Sequence, residues 1–176
     1  MPSRRDFLQH SAGSLLAATL PVTVAAPGLG SPATPRSFLD LTRGPDGVKV
    51  RTASGDQQLR RTSGGRWEGT GVTVRIVDLP GAIRVELTAP AIGVLRVGLR
   101  WNERLDRTRL LLGDAWERGY GDLEWRGWAP DRIMPWYFAT SDGNATHAYG
   151  VRTGTNAFCW WQADPEGVSQ IGRAHV

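Results

Sequence analysis

Between residues 48 and 101 the chain alternates apolar and polar side chains at every second position, and this period restricts the fold more than any other feature. The pattern recurs in Val48-Lys49-Val50-Arg51, Val72-Thr73-Val74-Arg75-Ile76-Val77, Ile83-Arg84-Val85-Glu86-Leu87-Thr88 and Val94-Leu95-Arg96-Val97-Gly98-Leu99-Arg100-Trp101. In an extended chain successive side chains point to opposite faces, so each stretch turns one apolar row inward and its arginines outward. Turn-forming residues separate them at Gly44-Pro45-Asp46-Gly47, Ser63-Gly64-Gly65, Leu79-Pro80-Gly81 and Ala89-Pro90-Ala91. A second group follows at Trp136 to Thr140, His147 to Thr153 and Ala157 to Ala163, with a turn at Ser141-Asp142-Gly143-Asn144, and reads as an antiparallel meander. No stretch after the first 26 residues carries a helical period. Many short strands joined by Gly and Pro turns predict an all-β, antiparallel β-sandwich, one domain over residues 38–170.

Within that frame residues 111–138, LLGDAWERGYGDLEWRGWAPDRIMPWYF, stand apart. Four tryptophans (Trp116, Trp125, Trp128, Trp136) alternate with Asp114, Glu117, Asp122, Glu124 and Asp131, and Gly and Pro interrupt the run. Flat apolar rings beside polar groups in loops suit a sugar, whose ring has an apolar face to stack and a rim of hydroxyls to hydrogen-bond. The same residues have a plainer role open to them: each Trp can belong to the core, and the acids can pair with Arg118, Arg126 and Arg132. A glycosidase needs two carboxyl groups flanking the scissile bond, and proximity in sequence does not establish that geometry.

Other chemistries lack their residues. His10, His147 and His175 are the only histidines and Cys159 the only cysteine, so neither a metal cluster nor a nucleophilic triad can be assembled convincingly from the sequence, and no glycine loop precedes a helix to cradle phosphate. No catalytic residue, metal ligand or cofactor is assigned. His147 reads as structural, and Cys159, in the apolar run Ala157-Phe158-Cys159-Trp160-Trp161, as a small buried hydrophobe. Of 21 basic residues only Lys49 is a lysine, and the arginines are spread rather than clustered, so nucleic acid is not expected as a partner.

The two ends read as foreign to the domain. Ser3-Arg4-Arg5-Asp6-Phe7-Leu8, followed by a mildly apolar run to Ala26, resembles a twin-arginine export signal over residues 1–26, which implies a periplasmic or extracellular location. The run is too short and too polar for a stable membrane span. Residues 27–37 form a Pro/Gly-rich linker. At the other end Ile171-Gly172-Arg173-Ala174-His175-Val176 matches the translation of a common sequencing adapter, so residues 171–176 are read as an artefact and the sandwich as incomplete at its C-terminus.

The segment 111–138, continued by Asp142-Gly143, by Tyr149-Gly150-Val151-Arg152-Thr153-Gly154 and by Ala157 to Asp164, resembles the N-terminal β-sandwich domain of alpha-galactosidase-like enzymes of glycoside hydrolase family 36. In that family the sandwich, a supersandwich, precedes a (β/α)₈ barrel whose two aspartates carry out retaining hydrolysis. A sandwich loop with a Tyr-Gly-x-Gly-Asp-aromatic-Arg pattern helps bind the sugar there. Tyr120-Gly121-Asp122-Leu123-Glu124-Trp125-Arg126 is similar to it, which implies Asp122 and Arg126 as carbohydrate contacts; Trp125 joins them as an expected contact, and Trp128 and Trp136 are read as packing or domain-interface residues. The resemblance therefore implies a non-catalytic, sugar-contacting part of an exported glycosidase, partnered by a barrel absent from this chain, with homo-oligomerisation left open. The alternative is a stand-alone carbohydrate-binding or envelope interaction module.

Overall fold

The computed structural model describes residues 14–18, 39–103, 106–113, 124–153 and 157–174. Fourteen strands follow in chain order: β1 (Ser14–Ala18), β2 (Gly47–Thr52), β3 (Gly55–Gln58), β4 (Arg60–Arg61), β5 (Arg66–Gly69), β6 (Val72–Leu79), β7 (Ala82–Thr88), β8 (Val94–Asn102), β9 (Leu110–Leu112), β10 (Met134–Pro135), β11 (Tyr137–Ser141), β12 (Thr146–Arg152), β13 (Ala157–Asp164) and β14 (Gly167–Ala174). A 3-10 turn, Leu41–Arg43, is capped by the Asp40 carboxylate, which accepts from the Thr42 amide at 3.0 Å. Among the described residues there is no α-helix, and hence none long and apolar enough to cross a membrane.

The strands form two sheets in which every pairing is antiparallel. One runs β4-β5-β6-β7-β1-β12-β11-β9, the other β10-β13-β14-β8-β2-β3. The alternation read from the sequence fixes what each sheet turns inward. Val72, Val74, Ile83, Val85, Phe138 and Tyr149 from the first meet Val48, Val50, Val97, Leu99, Trp101, Trp161 and Val168 from the second in one buried core. Phe138 joins the layers, stacked on Tyr149 at 4.8 Å between ring centres and tilted against Trp161 at 5.2 Å. The chain is an all-β sandwich, as its period dictates.

One expected connection is different. β11 and β12 pair as a hairpin, but β13 lies in the opposite sheet, between β10 and β14, so the predicted three-stranded meander stops at two. β12 gives its other edge to β1, while β13 buries Trp161 and Ala163 from the far side of the core. Two boundaries drawn from the sequence also fall beside paired strands: β1 lies within residues 1–26 and is held between β7 and β12, and β14 continues through residues 171–174, with Ile171 opposite Trp160 and Gly98.

The sheets are tied at a corner made by Trp136. β10 belongs to one sheet and β11 to the other, and the single residue between them sits at φ 65°. Its amide donates to the Cys159 carbonyl in one sheet (3.0 Å), and its carbonyl accepts from the Val151 amide in the other (2.8 Å). A bulky side chain at positive φ costs about 1–3 kcal/mol, and this pair of bonds together with the edge-on contact of its ring with Phe158, 5.2 Å between centres, offsets that cost.

Candidate functional site

The Trp-rich segment runs from β9, an edge strand of the larger sheet, to β10, an edge strand of the smaller. Its second part returns to β9. Arg126 forms an isolated bridge with Leu111, the two amides and carbonyls exchanging bonds of 2.7 and 2.9 Å, and so partly covers an otherwise open edge. Arg132 holds the return in place, one guanidinium nitrogen donating to the Leu111 carbonyl at 3.1 Å and the other to the Glu124 carbonyl at 3.3 Å. The Trp128 indole donates to the Asp106 carbonyl at 3.1 Å while its ring packs on the core.

The side chains expected to touch ligand are divided by this arrangement. Trp125 is 41 % exposed although tryptophan is costly to leave in water, and it lies between Glu124 and Arg126 in sequence. The Arg126 guanidinium meets the Glu124 carboxylate through two contacts of 3.1 Å, both side chains more than half exposed. Residues two apart in an extended segment share a face, so the ion pair stands on one side of the chain and the ring between them on the other. Asp122 lies outside the described residues, as do Asp114, Trp116, Glu117 and Tyr120. Trp128 and Trp136 are half-buried, Trp128 packed on the core and Trp136 edge-on to Phe158. The pairing of Glu124 with Arg126 is one that the plainer reading of the segment allowed, without singling out these two residues.

A second cluster lies on the inner ends of β9 and β12. His147 is half-buried, and burial, aided by the Arg109 charge, lowers its pKa. Arg109 is itself buried and partnered, while Tyr149, whose hydroxyl donates to the Leu39 carbonyl at 3.0 Å, is pushed up by burial. A hollow of about 190 Å³ opens beside them, lined by Leu39, Asp40, Thr42, His147 and Tyr149 among others. A neutral imidazole and a phenol that keeps its proton can donate and accept hydrogen bonds but supply no nucleophile. Cys159 is fully buried, its thiol pushed up to about 12 by burial. Among the described residues no group of three His, Cys, Asp or Glu side chains could hold a metal ion.

Comparison with models of protein families, with curated proteins and with solved structures finds no match. What fold and site define is an all-β sandwich with an exposed tryptophan and an ion pair on a segment bridged to the β9 edge of its larger sheet.

Proposed function

We propose that the chain is the non-catalytic, sugar-contacting sandwich of an exported glycosidase resembling the alpha-galactosidases of glycoside hydrolase family 36. In this reading residues 1–26 direct export by the twin-arginine route, and a catalytic barrel outside this chain supplies the acid and the nucleophile. The observation that carries the reading is Trp125, an indole 41 % exposed on a segment fastened to an edge strand. An exposed aromatic face is what the apolar side of a pyranose ring stacks on, and Asp122, four residues before Arg126, is the further contact that the resemblance implies.

The sandwich alone offers recognition and not hydrolysis. The direct test is genomic: the coding sequence beyond Ser169, read from an independent source of the same gene, is expected to continue into a barrel carrying paired carboxylates. A natural stop near that point would overturn the enzyme reading. The two sheets cover each other with one continuous core, which favours, as the second reading, a carbohydrate-binding module able to act by itself.

A further inference from the structure

The outer face of the larger sheet carries an unfavourable charge arrangement. Arg66 of β5 stands directly opposite Arg75 of β6. The neighbouring Gly65 and Ile76 make the ladder bond, the Ile76 amide donating to the Gly65 carbonyl at 2.8 Å. Hydrogen-bonded and non-hydrogen-bonded positions alternate in an antiparallel pair, so Arg66 and Arg75 occupy the position where facing side chains come closest, with Cα atoms about 4.5 Å apart. Both are exposed, whereas the adjacent Trp67 and Val74 are buried. Like charges at such a position destabilise the pair. Arg75 forms an ion pair with Glu86 at 3.7 Å, which Glu86 shares with Arg84 at 3.0 Å, and among the described residues no ion pair involves Arg66.

The two guanidinium groups line an open basin of about 480 Å³ with Thr62, Ser63, Gly64 and Glu68. The turn that forms its wall is held by backbone geometry. Gly65, next to the lining residue Gly64, sits at φ 71°, and a Cβ there would lie 2.6 Å from the Ile76 carbonyl oxygen, so the turn cannot carry a side chain at that point without shifting. An oxyanion between the arginines would replace repulsion by two charge-assisted, forked contacts, the geometry for which guanidinium suits carboxylate and sulfate. Glu68 narrows the choice. Its negative charge disfavours a ligand with a phosphate at every unit, but its oxygens accept from hydroxyl groups, as the Thr62 and Ser63 hydroxyls can also do.

We propose that this basin binds the carboxylate of an acidic sugar, a uronate unit of a polysaccharide, with Arg66 and Arg75 on the carboxylate and Glu68, Thr62 and Ser63 on the ring hydroxyls. That the anion belongs to a sugar rests on the carbohydrate reading above; that the basin takes an oxyanion rests on the paired arginines alone.

The test is titration of the full chain with tri-galacturonate, with neutral galactotriose and with inorganic sulfate, followed by calorimetry. Tri-galacturonate is expected to bind, to weaken as salt rises, and to lose affinity at least about tenfold in Arg66→Gln and in Arg75→Gln. Galactotriose and sulfate are each expected to bind at least about tenfold more weakly than tri-galacturonate. Without ligand, Arg66→Gln should melt no lower than the parent chain, because it removes repulsion and no ion pair. Failure to bind tri-galacturonate, affinity undiminished in both variants, sulfate bound as tightly as the sugar acid, or a destabilised ligand-free Arg66→Gln would each overturn the proposal. A chain that binds tri-galacturonate but not methyl α-D-galactopyranoside would overturn the galactoside reading and leave this site standing. The converse result would do the opposite.

Discussion

Single side chains in this protein divide by whether their environment holds them or leaves them exposed. Phe138, fully buried and touching both Tyr149 and Trp161, is the centre of the inter-sheet contact, and Phe138→Ala should cost about 3–5 kcal/mol in chemical denaturation. Trp125→Ala should leave stability within about 0.5 kcal/mol of the parent, since an exposed ring contributes little to the core. The Arg100 guanidinium grips the Asp164 carboxylate with two bonds of 2.7 and 2.8 Å, and those hydrogen bonds lower the Asp164 pKa. A carboxyl whose folded pKa lies below its unfolded value, about 3.9, stabilises the fold above that value. The contribution disappears as pH falls through the folded pKa, so Asp164→Asn should flatten the acid limb of a stability profile below about pH 4. An unchanged limb would remove the pair from the account. At this scale the sequence spoke clearly for Cys159, because an apolar run has one meaning, and poorly for Glu124, because a surface carboxylate among five has many.

Elements were legible in proportion to how much of their own burial they encode. β2, β6, β7, β8, β12 and β13 lie within a residue or two of the alternating stretches, because each turns an apolar row into the core. β3, β4 and β10 show no such row, being short edge pieces of two to four residues whose position is set by the strand they pair with. β9 and β10 were hidden inside the Trp-rich segment, and the switch at Trp136 could not be read because it depends on bonds to Cys159 and Val151, distant in sequence. β1 raises a testable point of its own. It fills the place between β7 and β12, so a chain beginning at Pro27, as cleavage of the proposed leader after Ala26 would leave it, should show faster amide exchange along those two strands. Leu16→Pro in the full chain, which removes a ladder donor, should lower stability by about 1–3 kcal/mol. Unaltered exchange and stability would show that the larger sheet does not depend on β1.

At the scale of the molecule, the sandwich class followed from the period, while the partition into sheets of eight and six strands did not, since strand order depends on which edges meet and not on any strand's own pattern. The proposed surfaces are likewise products of assembly: the bridge of Arg126 to Leu111 holds Glu124, Trp125 and Arg126 at the β9 edge, and the hairpin of β5 and β6 brings Arg66 and Arg75 to the outer face of the larger sheet. The most direct measurement is an NMR titration of the full chain with methyl α-D-galactopyranoside, following the indole N–H signals of all eight tryptophans. The Trp125 signal is predicted to move saturably while those of the buried Trp101 and Trp161 stay fixed, and the response should vanish in Trp125→Ala. A Trp125 signal that stays fixed at sugar concentrations of about 100 mM, well above the millimolar range of weak binding, would contradict the account.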